Sequence, residues 1–145
     1  ERKAVDPSAP SFSGIVARGS GAIVLAEQVR IAFALERDPQ WSYEEFYTFF
    51  VHSGGSTTIT WRPFQRLDIE ATGRHYWLDY DQGLDERAVI RTDKVYSYGG
   101  GIGIFLRGYP GTRLGIGIEQ AARESVLEDR NYKTLRYLSN VGFSF

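Results

Sequence analysis

The chain has 145 residues, a formal net charge of −1 and no cysteine. This length suits one domain with a hydrophobic core, and the nearly neutral charge excludes a general attraction to nucleic acid. Without cysteine there is no disulfide framework and no cysteine-based metal site or nucleophile. No run of about 18 apolar residues is present, which excludes a transmembrane helix but leaves open the short alternating strands of a membrane barrel.

Seven segments that alternate between apolar and polar residues predict seven antiparallel β-strands. Residues 1–11 are polar, contain two prolines and predict a lead-in or outer loop, while residues 12–145 hold the strands. The third segment keeps one phase through Gly54 and Gly55, which favours one long strand over two short strands in a hairpin. The predicted strands cover residues 12–25, 29–37, 46–61, 67–77, 94–107, 114–125 and 135–145.

Strand four has the clearest pair of faces. Leu67, Ile69 and Trp77 share one face, and the alternate positions carry charges. In a barrel the charged face points into the lumen, where it forms either a hydrated conduit for a polar polymer or a network of paired charges that stabilises the barrel. The predicted lumen-lining residues are Arg66, Asp68, Glu70, Arg74, Glu119, Arg123, Arg136 and Asn140.

The glycines Gly99, Gly101 and Gly103 occupy the inward phase of strand five. No helix follows them, so they do not form a nucleotide-binding loop. We predict that they clear space for large side chains to cross the lumen.

The connections between the strands predict their orientation. Short connections follow strands one, three and five, and longer ones follow strands two, four and six, including charged loops over residues 37–45 and 79–92. Short periplasmic turns and longer outer loops are typical of an outer-membrane barrel. The C-terminus is therefore predicted to be periplasmic.

Aromatic residues are predicted at two membrane boundaries. The ten steps from Leu67 to Trp77 span about 33 Å of strand, or about 25 Å of height at a tilt of about 40°, which matches the apolar band of such barrels. The predicted interface aromatics are Trp61, Tyr109, Phe143 and Phe145 at the short-turn end, and Trp77 and Tyr96 at the long-loop end.

The odd number of strands needs an explanation, because bacterial barrels have even numbers. The favoured interpretation is that these strands are the C-terminal part of a larger up-and-down transmembrane β-barrel. The alternative is a small eight-stranded barrel, obtained by splitting residues 46–61, which breaks the alternation of the loops.

Several short motifs follow one another along the chain. They are Phe12-Ser-Gly-Ile15, Leu35-Glu-Arg-Asp-Pro39, Ser42-Tyr-Glu44, Leu78-Asp-Tyr80, Arg123-Glu-Ser125, Tyr132 and Arg136-Tyr137. In this order they resemble outer-membrane β-barrel proteins encoded in exopolysaccharide-export loci, including the exosortase-associated kind. The resemblance covers residues 12–145 and implies a Gram-negative barrel that moves or anchors polysaccharide, acting as a pore or scaffold with export proteins, polysaccharide and lipopolysaccharide as partners.

The last strand also resembles the C-terminal signal that the barrel-assembly machinery reads, with aromatics at Phe143 and Phe145. It departs from that signal at Asn140, where glycine is usual, and at Leu138, where a polar residue is usual.

Enzymatic alternatives remain at this stage. Asp68 and Glu70, about 7 Å apart on one face, suit an inverting glycosidase pair, and Ser139 resembles the nucleophile of outer-membrane lipid A deacylases if His75 reaches it. The two histidines, His52 and His75, do not form a metal site. We expect a non-enzymatic protein with no cofactor, and a soluble ligand-binding barrel would instead bury its apolar face.

Overall fold

The computed structural model describes residues 12–43, 47–80, 91–107 and 111–143. Within these ranges the chain is almost entirely extended, with one single-turn 3₁₀ helix, η1. The elements are β1 (Ala17–Leu25), β2 (Val29–Trp41), β3 (Phe49–Phe64), β4 (Leu67–Tyr80), β5 (Arg91–Phe105), β6 (Arg113–Glu124), η1 (Glu128–Arg130) and β7 (Tyr132–Gly142).

The seven strands form one antiparallel up-and-down sheet in the order β1-β2-β3-β4-β5-β6-β7. Each strand pairs with the next one along the chain, so every pairing is local and every connection is a hairpin. This confirms the predicted all-β, up-and-down architecture and its seven strands. Among the described residues the sheet does not close, and β1 and β7 are its two edges.

The pairing register keeps one phase across the sheet. Asp68 lies opposite Gly103, which lies opposite Gly115, which lies opposite Asn140, so all four side-chain positions share one face. The neighbouring row of Leu67, Ile104, Leu114 and Val141 shares the other face. The two-residue period of each strand therefore adds up to one charged face and one apolar face of the whole sheet.

The apolar face is largely uncovered. Large hydrophobic side chains on it are exposed on strands from one edge to the other, and contiguous apolar surfaces of this kind are rare on soluble monomers. They include Ile23, Phe33, Leu35, Ile59, Ile69, Tyr98, Ile102, Ile104, Leu114, Ile116, Ile118, Leu135, Tyr137 and Val141. Among the described residues, no helix has the length and apolar character needed to cross a membrane.

One predicted loop is a strand. β2 was expected to end at Arg37, but it continues through Asp38 and Pro39 to Trp41 and pairs with β3 throughout. Because β1 pairs with β2 only as far as Arg37, the segment beyond it is an edge strand, where proline is tolerated. The loop signal of Asp-Pro was therefore misleading at this position.

The other boundaries differ by a few residues. β3 passes through Gly54 as one strand, as predicted, and extends to Phe64, leaving a turn at residues 65–66. β4 and β5 reach Tyr80 and Arg91, so each takes up residues assigned to the charged loop. The connection over residues 106–112 is as long as that over 42–48, so the alternation of short and long loops is less regular than predicted. The lead-in at residues 1–11 lies outside the described residues.

Candidate functional site: the charged face of the sheet

The predicted lumen residues gather on one face. Asp68, Glu70 and Arg74 project from β4, and their registers place the predicted residues of β6 and β7 on the same side: Glu119, Arg123, Arg136 and Asn140. Arg66 is the exception, because it lies in the exposed turn between β3 and β4 rather than on a strand.

Asp68 of β4 forms an ion pair with Arg113, which lies two strands away on β6. The Arg113 guanidinium of β6 donates two hydrogen bonds to it, Nε to Oδ2 at 2.7 Å and Nη2 to Oδ1 at 2.5 Å. Gly103 of β5 lies between them, and a Cβ at this position would overlap the guanidinium. Arg113 Nη1 also donates to Asn140 Oδ1 at 2.7 Å, which joins β4, β6 and β7. This bidentate pair is the strong form of an arginine–carboxylate contact.

A second crossing lies further along the same strands. Arg74 of β4 donates to Glu119 Oε2 of β6 at 2.8 Å, and Arg136 of β7 lies 3.7 Å from the other oxygen of Glu119. Ser97 of β5 and Gly99 stand between β4 and β6 here. Small residues on β5 thus let long side chains bridge over it, as the sequence predicted.

The charged face is filled at its long-loop end by a buried cluster. Arg91 donates two hydrogen bonds to Asp93, at 2.9 and 2.8 Å, and both side chains are fully buried. Arg123 also donates to Asp93, and to the Tyr80 hydroxyl at 2.9 Å. The Arg91 guanidinium lies 4.1 Å from the centre of the Tyr80 ring and 5.6 Å from that of the Tyr47 ring, and the two rings contact each other edge to face. Asp93 therefore pairs with two arginines, and Arg91 and Asp93 are among the most buried residues of the described chain.

Three of these charged residues were absent from the sequence prediction. Arg91 lies in the loop predicted over residues 79–92, and Asp93 and Arg113 lie just before the predicted starts of strands five and six. Their signal was present, since each keeps the inward phase of its strand. Starting strand five three residues earlier and strand six one residue earlier would have found them.

The opposite end of the charged face is open and concave. A cavity of about 420 Å³ is lined by Val24 of β1 and by Arg113 of β6. Its other lining residues come from β2, β3, β4 and the turn between β1 and β2, and the Arg113 side chain reaches it across β5. The charged face is therefore concave at this end, and the apolar face is the opposite, convex side of the sheet.

The predicted interface aromatics lie on the convex face or at its ends. Trp61 of β3 is close to the short turns, and Trp77 of β4 is close to the long loops, with about two fifths of each exposed. Tyr96 shares their face, and Phe143 directly follows β7. Tyr109 and Phe145 lie outside the described residues.

The enzymatic alternatives find no geometric support on this face. Asp68 is occupied by Arg113, so it is not a free acid or base. Ser139 lies in the row of Ile116, Ile102 and Ile69, six residues along β4 from His75, which corresponds to a separation on the order of 20 Å. His75 instead contacts the Trp77 ring, at 4.3 Å between centroids. No group of three metal-binding side chains occurs in the described ranges.

In comparisons with protein families, with curated proteins and with solved structures, no match to this chain was found. The resemblance to barrels of export loci therefore stays a prediction that rests on the motifs alone.

Proposed function

We propose that these seven strands form part of the wall of a bacterial outer-membrane β-barrel, with the apolar face against lipid and the charged face inside. The observation that carries this proposal is the separation of the two faces over the full width of the sheet. Exposed aliphatic and aromatic side chains occupy the convex face, and paired charges occupy the concave one. A soluble β-barrel has the opposite arrangement, because water is outside and its apolar residues must be buried.

The directions of the two edge strands determine whether the closed ring needs an odd or an even number of further strands. β1 and β7 are both odd in an up-and-down order, so they run in the same direction. Antiparallel closure of these two edges therefore takes an odd number of further strands. One further strand gives the eight-stranded barrel, and three or more give the larger barrel that the sequence favoured.

Within polysaccharide export, the geometry favours a scaffold over an open conduit. The buried cluster of Arg91, Asp93, Arg123 and Tyr80 occupies the concave face at the long-loop end. In the eight-stranded ring a polymer could pass that end only if these charges separated, and separating buried paired charges costs several kcal/mol. The proposed scaffold lies in the outer membrane with a periplasmic C-terminus, is inserted by the barrel-assembly machinery, and contacts lipopolysaccharide and export proteins.

Conductance in planar lipid bilayers separates a scaffold from a pore. The protein is refolded, its insertion is checked by resistance to added protease, and current is recorded beside a general porin in the same bilayer. We expect inserted protein without sustained current. A steady conductance comparable to that of the porin contradicts the scaffold and favours an open conduit.

The role in export is tested separately in the producing bacterium. Deletion of the gene is expected to lower surface polysaccharide while leaving its cytoplasmic precursors, and the wild-type chain is expected to restore it. Unchanged surface polysaccharide in the deletion strain rejects the export role without affecting the barrel assignment.

A further inference from the structure

Eight arginines project from the strands onto the charged face, and six of them have a carboxylate partner. Arg18 pairs with Glu36, and the other five pair with Glu119, Asp93 or Asp68. The paired arginines are Arg18, Arg74, Arg91, Arg113, Arg123 and Arg136. The remaining two, Arg30 and Arg62, form no ion pair with any described residue, and both line the cavity of about 420 Å³ at the short-turn end.

Arg30 and Glu70 lie in one row of the charged face and do not form an ion pair. Arg30 of β2 lies opposite Thr60 of β3, which lies opposite Glu70 of β4. A residue with a side chain therefore stands between Arg30 and Glu70, whereas only Gly103 stands between Asp68 and Arg113. Arg113 reaches over Gly103 to Asp68, whereas Arg30 does not reach over Thr60 to Glu70.

The second arginine, Arg62, contacts an aromatic ring and lies near Asp68 without forming an ion pair with it. The Arg62 guanidinium lies 5.4 Å from the centre of the Phe105 ring, within the range of a cation–π contact. Its backbone N–H donates to the Gln28 carbonyl at 2.8 Å, which fixes this part of β3 beside β2. The aromatic contact orients the planar group and leaves its outer donors facing the cavity.

We infer that this cavity binds an oxyanion carried on a polyhydroxylated chain, as in an acidic polysaccharide. Two guanidiniums offer the paired N–H donors that match a carboxylate or a phosphate. Glu27, Glu70 and Thr60 on the cavity wall offer acceptors for sugar hydroxyls, and the Asp68–Arg113 pair closes the far side. This assignment rests on the proposed function for its biological setting, and it narrows the substrate class from polysaccharide in general to acidic polysaccharide.

Titration calorimetry with folded protein in detergent tests the inference, with an oligogalacturonate, maltotriose of similar size and inorganic phosphate as probes. We expect the oligogalacturonate to bind and maltotriose to bind at least about tenfold more weakly, a difference that one lost charge-assisted contact produces. Phosphate is expected to compete at higher concentration. Binding of maltotriose as tight as that of the oligogalacturonate overturns the inference. If phosphate binds and the oligogalacturonate does not, the cavity is a small-anion site and the glycan assignment is overturned.

Matched variants locate the binding. Arg30→Gln and Arg62→Gln are each expected to weaken oligogalacturonate binding at least about tenfold. Arg30→Lys is expected to weaken it less, because lysine keeps the positive charge and loses only the paired N–H donors of the guanidinium. Arg18→Gln is the control, since Arg18 is an exposed arginine of the same face outside the cavity. Equal losses in Arg18→Gln indicate a diffuse charge effect and overturn the site. Failure of binding in protein that inserts normally into vesicles rejects this site and leaves the barrel assignment intact.

Discussion

The buried cluster at the long-loop end makes the sharpest stability prediction, through Asp93→Asn. The Asp93 carboxylate is fully buried and accepts hydrogen bonds from both Arg91 and Arg123. Removing its charge takes the buried carboxylate partner away from both arginines. Breaking a buried ion pair by removing one partner costs about 3–5 kcal/mol of unfolding free energy, and the geometry places Asp93→Asn in that range.

The assay is urea unfolding in lipid vesicles, followed by tryptophan fluorescence, with folding reversibility checked from both directions. The control is Asp129→Asn in η1, where the carboxylate is 76% exposed and 3.5 Å from Arg130. Exposed pairs of this kind contribute little to stability, so the control is expected to unfold at the same urea concentration as the wild type. A loss of unfolding free energy below about 1 kcal/mol for Asp93→Asn is within the range of a surface pair. Such a result would refute the claim that the cluster is buried and depends on the charge of Asp93.

Two further predictions test the packing and the faces of the sheet. Gly103→Ala places a methyl group against the Arg113 guanidinium and is expected to cost about 1–3 kcal/mol of unfolding free energy, whereas Gly19→Ala, which meets open space, should unfold at the wild-type urea concentration. Ile118→Arg puts a charge on the convex face and is expected to cost about 2–4 kcal/mol in lipid vesicles, while Leu138→Arg on the concave face should cost far less. Equal losses within either matched pair contradict the corresponding assignment.

The fold was predictable from the sequence because each strand is a local pattern. Alternation in β4 to β7 assigns faces without knowledge of any distant contact, and up-and-down pairing needs only neighbouring strands. The one-strand interpretation of residues 46–61 succeeded for the same reason, since the phase is unbroken through Gly54. Strand ends were harder to predict. Whether Asp38-Pro39 is a loop or an edge strand depends on where β1 begins to pair with β2. The sequence of β2 does not contain that information.

The site was predictable in composition and not in its pairings. The inward phase brought Asp68, Arg74 and Glu119 to one face, but sequence alone does not say that Arg113 takes Asp68 while Glu70 remains without an ion pair among the described residues. Both carboxylates lie opposite a glycine of β5, Gly103 for Asp68 and Gly101 for Glu70, so the choice depends on which carboxylate lies nearer to Arg113. That distance follows from the register of β4 with β5 and of β5 with β6.

The measurement that tests the central claim most directly uses the absence of cysteine from the chain. Single cysteines are placed at Ile69, Glu70, Ala71 and Thr72 of β4, labelled with a nitroxide, and read in lipid vesicles by their accessibility to oxygen and to a water-soluble nickel complex. The account predicts strict alternation, with oxygen access at 69 and 71 and nickel access at 70 and 72. Labels at 69 and 71 that are shielded from both reagents, with 70 and 72 facing bulk water, would show a buried apolar core and contradict the membrane barrel.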